Sequence, residues 1–254
     1  FSSELVKSRV HNHLELKHYR DHLEKLVRKR TQQLLLTQEI TIESLGTLAE
    51  FRDPETGGHI KRTQNYVKCL GEYLRSKSEY KSLLGAESIE FMYKSVPLHD
   101  IGKVGVPDHI LLKPGKLTET EFEEIKKHTI YGRKAIMVSE RKLGKDSFLK
   151  YAKRLAYTHH EKWDGTGYPL GISGESIPIS GRLMAIADVY DALVSKRVYK
   201  PPFSHSKAVS IIIEGKGTHF DPIMIDAFEN ISEEFRKIAL EFADYDEERQ
   251  TLLE

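Results

Sequence analysis

The sequence predicts an all-helical protein, a helical bundle preceded by one long amino-terminal helix. Three observations carry that expectation. From Glu4 to about Glu50 there is no proline and a single glycine, Gly46, while Leu, Glu, Lys, Arg and Gln predominate, which favours unbroken helix. Strand-type alternation of apolar and polar residues is sparse along the whole chain. Helix signals recur instead, such as Thr118 followed three residues later by Glu121, and Asp221 before Pro222.

In the first helix Leu16, Tyr19, Leu23 and Leu26 step by three and four, as a coiled-coil seam does, before the register meets Arg30 and Gln33. The seam predicts a homodimer through this helix. Arg28-Lys29-Arg30 beside Leu34-Leu35-Leu36 reads as a solvated face next to a packing face, more readily than as a membrane-surface helix. His18 and His22 lie four apart but have no third ligand near them in sequence. Arg52-Asp53-Pro54-Glu55 breaks the pattern, and a second helix is expected from Pro54, with Glu55 and His59 on one face. A third helix is expected from about Glu87 to His99. Gly102, Gly105, Pro107 and Pro114 make the chain after Lys103 a loop.

Thr118 should cap a helix that carries His128 and ends near Val138, and Asp146 should cap the next, which runs to His159-His160. Glu161 to Gly181, rich in glycine, is expected to be a structured loop forming the wall of a pocket. Ser180 is expected to cap a helix in which Asp188 and Asp191 stand among apolar residues, where a buried acid needs a partner. Ser204 to Ile213, stopped by Gly215, then Pro222 to Asn230, and a last amphipathic helix from Ser232 complete the bundle.

Composition narrows the function. The 254 residues are enough to bury a sizeable core. Lys and Arg number 39 and Asp and Glu 38, so a formal charge of +1 offers no overall field for a DNA or RNA polymer or an anionic membrane. Any anion site is therefore local. The single cysteine, Cys69, forms no intramolecular disulfide, fits a reducing cytoplasm and reads as a buried helical thiol. No apolar run is long enough to span a bilayer. The chain opens on Phe1, as a fragment of a longer protein would.

The chemistry sits around His99-Asp100-Ile101-Gly102-Lys103, where an imidazole adjoins a carboxylate able to bridge two ions. Lys103, one turn past His99, offers a cation to an anionic substrate. The other candidate ligands are Glu55, His59, His128, His159, His160 and Asp188, too many for one zinc. Nitrogen and oxygen donors without thiolate suit two or three ions of iron, manganese, nickel or zinc. Two such ions match phosphodiester hydrolysis.

These residues resemble the HD-GYP branch of the HD-domain phosphohydrolases. His99-Asp100-Ile101-Gly102-Lys103 with Pro107-Asp108 and Lys113-Pro114-Gly115 is similar to its first motif. His159-His160-Glu161-Lys162-Trp163-Asp164-Gly165-Thr166-Gly167-Tyr168-Pro169 is similar to its second. The likeness runs from about Leu48 to Phe228 and takes in Asp188-Val189-Tyr190-Asp191-Ala192-Leu193 and Thr218-His219-Phe220-Asp221-Pro222. It implies an HD-domain helical bundle, a two- or three-metal centre, and hydrolysis of a cyclic dinucleotide. The substrate implied is chiefly cyclic di-GMP, cleaved to the linear dinucleotide or on to mononucleotide, with 3',3'-cyclic GMP-AMP as the other choice. By the resemblance His59, His99, Asp100, His128, His159, His160 and Asp188 are metal ligands, with Glu55 available to a third ion. Lys103 neutralises the scissile phosphate, and Asp53 is a proton donor to the leaving oxygen. Gly167, Tyr168, Pro169, Arg197 and Lys200 bind the dinucleotide, and Asp191 orients Arg197.

The opening residues Phe1 to Val10 with His13-Leu14-Glu15-Leu16 resemble the last helix of a response-regulator receiver domain. That divides the chain into residues 1–47, the end of a receiver and a linker helix that transmits its signal, and residues 48–254, the phosphodiesterase. The rival readings are a binding module of the same fold acting as sensor or scaffold, and a nucleotidase acting on mononucleotides.

Overall fold

A computed structural model describes residues 2–50, 58–77, 80, 81, 83–143, 147–196 and 201–254. Asp53, Pro54, Glu55, Asp146, Arg197 and Lys200 fall outside these residues, and with them the expected helix start at Pro54 and the Asp146 cap. Among the described residues there is no strand, only one isolated bridge between Lys216 and Phe220. The chain divides into two compact units, Phe1–Thr41 and Ile42–Glu254.

The first unit is a single helical stretch, the opening part of α1 (Ser3–Glu50). Its seam residues Leu16, Tyr19, Leu23 and Leu26 are all exposed, and Arg30 donates along the helix to Gln33 at 3.1 Å. In the second unit the final turns of α1 bury Ile42, Gly46, Ala49 and Glu50, and Glu43 pairs with Lys61.

The second unit is built from α2 (Gly58–Arg75), α3 (Ala86–Ser95), α4 (Asp108–Leu111), α5 (Glu119–Lys126), α6 (His128–Leu143), α7 (Leu149–Thr158), α8 (Ile179–Val194), α9 (His205–Glu214), α10 (Pro222–Glu241) and α11 (Asp246–Leu253). Its main core lies among α2, α8, α9 and α10. Tyr66 stacks on Phe235 at 4.5 Å between ring centres, and Tyr190 and Phe228 meet Phe235 edge-on. A smaller cluster joins Ile42, Leu98, Ile136, Phe148, Leu149, Ala152 and Ala156. Cys69 is half-buried on α2, its thiol pushed up to about 11 by burial and by nearby Glu234 and Glu72.

Several helix limits differ from the expected ones. The helix expected to reach His99 ends at Ser95 and tightens into a 3-10 turn, Val96–Leu98, because Pro97 has no N–H to continue the α ladder. Beyond Asp100 the expected loop holds a second 3-10 turn, Ile101–Gly105, and then α4. Thr118 and Glu121 do form a reciprocal capping box, but the helix they open stops at Lys126 and His128 begins a separate helix. Ser180 does not cap α8. Pro178 holds the cap position, and the Ser180 hydroxyl is buried inside the first turn. Residues on either side of Ile231 form one continuous α10, so no helix starts at Ser232. The cap at Asp221 is as expected, and Ser204, expected as the first residue of its helix, caps it instead, each side chain accepting from a first-turn N–H.

Candidate metal centre

The His99-Asp100 pair sits at the junction of the two 3-10 turns, and Gly102 explains how it approaches the start of α6. A Cβ on Gly102 would lie 1.9 Å from the His128 carbonyl oxygen and 2.4 Å from the Gly132 nitrogen. Only a residue without a side chain lets these two backbones touch, and that contact brings Asp100 to His128. α7 ends by delivering His159 and His160, α2 begins with His59, and α8 carries Asp188.

Two groups of donors result. Glu50, His59 and His99 offer atoms within 4.8 Å of one another, and so do Asp100, His128, His159 and His160. Asp188 joins the first group, with Oδ1 3.8 Å from His59 Nε2, where Glu50 Oε1 lies 3.9 Å away. Asp100 faces both groups. Its Oδ2 is 3.3 Å from His99 Nε2, while its Oδ1 is 3.2 Å from His128 Nε2 and 3.3 Å from His159 Nε2. Seven expected ligands are thereby brought together, and the expected pairing of Glu55 with His59 falls outside the described residues.

The orientation of each ring is fixed from behind. His99 Nδ1 donates to the Val96 carbonyl at 2.9 Å, His128 Nδ1 to Ile125 at 2.6 Å, and His159 Nδ1 to Leu155 at 3.0 Å. His59 Nδ1 donates instead to Asp191 Oδ2 at 2.8 Å. Because these acceptors have no proton to give, each Nδ1 carries a hydrogen, and in the neutral ring Nε2 is the lone-pair atom that faces inward. His128 Nε2 and His159 Nε2 then face each other across 3.5 Å with a carboxylate oxygen beside both. Such an arrangement is repulsive unless a cation stands among the donors. Buried imidazole and carboxylate without thiolate is the donor set of a divalent transition metal, so the residues fit one.

Charge within the site is steeply graded. Burial would raise the Asp100 carboxyl, but Lys103 and His99 hold it well below the usual carboxylate range. Burial lowers His99, yet Asp100 outweighs it and holds this imidazole at about 8. His159 and His160 are lowered, chiefly by burial. Lys103 Nζ lies 2.6 Å from Asp100 Oδ2, so its ammonium sits on the carboxylate shared by both groups. His160, Asp188, Lys103 and Tyr168 are half-buried, whereas His59, His99, Asp100, His128 and His159 are buried.

Behind His59, Asp191 is buried and fully engaged. Arg62 grips it through Nε at 2.6 Å and Nη2 at 3.1 Å, and also donates to the Phe242 carbonyl, Asp244 and Ser195. Asp191 therefore orients His59, while its expected pairing with Arg197 lies outside the described residues. Burial would raise its carboxyl, but Arg62 and His59 hold it far below the ordinary range.

The pocket-wall loop after His160 is organised by Glu161, a buried carboxylate that accepts from the Leu170 N–H at 2.7 Å and the Ile172 N–H at 3.2 Å. Gly167 lies so close to the strand of backbone it folds over that a Cβ would stand 2.3 Å from the Lys162 nitrogen. Tyr168, next to it, stacks on His160 with ring centres 4.7 Å apart, and Pro169 follows. Trp163 and Asp164 donate their N–H groups to His219 and Thr218, which ties the loop to the turn before α10.

Three participants were not singled out from sequence. Glu50 looked like the last charged residue of an exposed helix, although it stands nine positions before His59. Arg62 is one turn from His59, but its partner Asp191 is 129 positions away. Glu161 was read only as part of a motif.

The HD domain family model matches residues 43–224. A cyclic di-GMP phosphodiesterase of Vibrio cholerae serotype O1 (strain ATCC 39315 / El Tor Inaba N16961) is 59% identical over 208 residues, covering 82% of this chain and 42% of that protein. A 3'3'-cGAMP-specific phosphodiesterase 2 from the same strain is 39% identical over 209 residues, covering 82% and 37%. Among solved structures, a cyclic GMP-AMP-specific phosphodiesterase of V. cholerae aligns with a TM-score of 0.53 at 16% identity, over 85% of this chain and 53% of that one, a likeness of fold. The chain spans about half the length of the curated relatives it matches.

Proposed function

We propose that this chain, which belongs to the HD domain family, is a metal-dependent phosphodiesterase that hydrolyses a 3',5'-cyclic dinucleotide. The observation that carries the reading is the pair of donor groups sharing Asp100, with the Lys103 ammonium against its carboxylate. The relatives named for cyclic di-GMP and 3'3'-cGAMP hydrolysis support the substrate class, cyclic di-GMP first because the more similar relative carries that name.

In this reading His59, His99, Asp188 and Glu50 would hold one ion and His128, His159 and His160 another, with Asp100 available to both. Divalent ions, when bound, supply Lewis acidity toward phosphate oxygens and water of lowered pKa. Iron or manganese suits the mixed nitrogen and oxygen set, with nickel or zinc as further choices. Lys103 moves from Asp100 to the phosphate and balances its charge, and Tyr168 with Gly167 and Pro169 walls the substrate. Arg197 and Lys200 as dinucleotide contacts, Asp53 as proton donor and Glu55 at a third ion rest on the family resemblance. So does the origin of residues 1–47 in a receiver domain and linker helix. Glu50 closing α1 supports signal transmission through that helix, and the exposed Leu16 to Leu26 seam supports a homodimer. A cytoplasmic setting follows from the substrate. No described helix is long and apolar enough to cross a membrane.

The test is to incubate metal-loaded protein with cyclic di-GMP, 3',3'-cyclic GMP-AMP and a mononucleotide and to separate the products. Cleavage of a cyclic dinucleotide is expected. Stoichiometric binding without turnover would make the chain a sensor, and cleavage of the mononucleotide alone would make it a nucleotidase.

A further inference from the structure

α5 buries none of its residues, and its sequence is charged on almost every side, yet it carries Phe122 with 45% of its surface exposed. A lone surface phenyl is ordinary. This one is placed by two contacts. Its ring meets Tyr168 edge-on, with centres 6.2 Å apart, and Tyr168 in turn stacks on His160 of the metal centre. One turn later on the same face, Lys126 sets its ammonium 4.8 Å from the centre of the Phe122 ring and 5.6 Å from that of Tyr168. The ammonium also pairs with Glu123 at 2.5 Å, on the outer side of the helix.

The helix is held still although it is not buried. The Thr118 and Glu121 capping box closes its start, Lys113 Nζ reaches Glu121 at 2.6 Å, and only Lys127 separates its end from the ligand His128. Core packing cannot account for Phe122, because α5 contributes nothing to either hydrophobic cluster. What remains is a fixed corner of two aromatic rings with a cation at its edge, one ring touching a metal ligand.

Resting on the phosphodiesterase reading, we infer that Phe122 and Lys126 form a wall that takes one purine base of the cyclic dinucleotide while its phosphate lies at the metal centre. A purine is flat and stacks on an exposed phenyl face. An ammonium at the rim offers donors to the O6 and N7 edge of guanine. Neither residue touches the reacting phosphate, so the wall acts on binding and on base preference.

The experiment measures, by calorimetry on metal-loaded protein, the Kd of a phosphorothioate analogue of cyclic di-GMP that resists hydrolysis. Metal content is determined on the same samples. Phe122→Ala is expected to weaken binding about tenfold, Phe122→Trp to restore it, and Phe122→Leu to behave like the alanine variant. Lys126→Met is expected to weaken binding about fivefold. All variants should keep their metal. An unchanged Kd in Phe122→Ala or Lys126→Met, a leucine as good as tryptophan, loss of metal in the alanine variant, or a wild type that does not bind the analogue would each overturn the inference. Turnover of cyclic di-GMP by the wild type, measured separately, reports on the phosphodiesterase reading alone.

Discussion

Replacing Arg62 by methionine tests how the centre is held. Arg62 is 1% exposed and makes five hydrogen bonds to described residues, two of them to Asp191. Methionine fills similar space but leaves the Asp191 carboxylate buried with only His59 and Ser195 as partners. Stranding one member of a buried ion pair costs roughly 3–5 kcal/mol, which for a domain of this size lowers Tm by roughly 6–20 °C. The carboxylate must then take a proton or move, and either change withdraws the acceptor that fixes His59 Nδ1. Loss of such an acceptor weakens metal binding by about 10–100-fold, and here only in the group containing His59. Urea denaturation gives the stability, and metal analysis after dialysis against a weak chelator gives the occupancy. The double variant Arg62→Met, Asp191→Leu should recover part of the stability and none of the metal, since it removes the stranded charge but not the need for an acceptor. An Arg62→Met protein within about 1 kcal/mol of wild type, with full metal content, would refute the account.

The remaining expectations are briefer. His99→Ala and Asp100→Ala should each abolish both bound metal and hydrolysis, and full activity with unchanged metal in either would remove that residue from the centre. Lys103→Ala should retain metal but lose about a hundredfold or more in turnover, whereas an equal loss of metal would show that the ammonium only supports Asp100. Gly102→Ala places a methyl carbon 1.9 Å from the His128 carbonyl and should reduce metal content and thermal stability together, so a wild-type Tm with full metal would mean that the backbone contact is not needed. Light scattering at micromolar concentration should report a dimer that deletion of residues 1–45 converts to monomer. A dimer surviving the deletion would exclude the Leu16 to Leu26 seam as its cause.

Much of the fold was legible because helix ends are written locally. The reciprocal bonds of Thr118 and Glu121, the caps at Ser204 and Asp221 and the stop at Gly215 need only neighbours in sequence. The misjudged ends depended on tertiary contact or on competition between signals. Lys127 separates two helices where His128 is drawn against Gly102, and Pro178 takes the cap position that a serine two residues later also advertised. The candidate ligands were legible as residue types at telling positions. Their anchoring was not, because the Arg62 and Asp191 pair joins α2 to α8, and Glu50 gains its meaning only when the end of α1 is packed beside His59.

The manner in which the rings are aimed has an evolutionary consequence. His99, His128 and His159 lean on carbonyls of their own turns, at Val96, Ile125 and Leu155, and a carbonyl survives almost any replacement of the side chain beside it. His59 leans on a chain of side chains, Asp191, then Arg62, then Asp244 near the far end of the protein, and each link can be broken by one codon change. Descendants of such a fold should therefore decay unevenly, losing metal affinity first in the donor group with His59 and keeping it longer in the group with His128 and His159. A homologue that has lost turnover but still binds nucleotide is expected to carry its first lesions at positions equivalent to Arg62 or Asp244, with every histidine still in place.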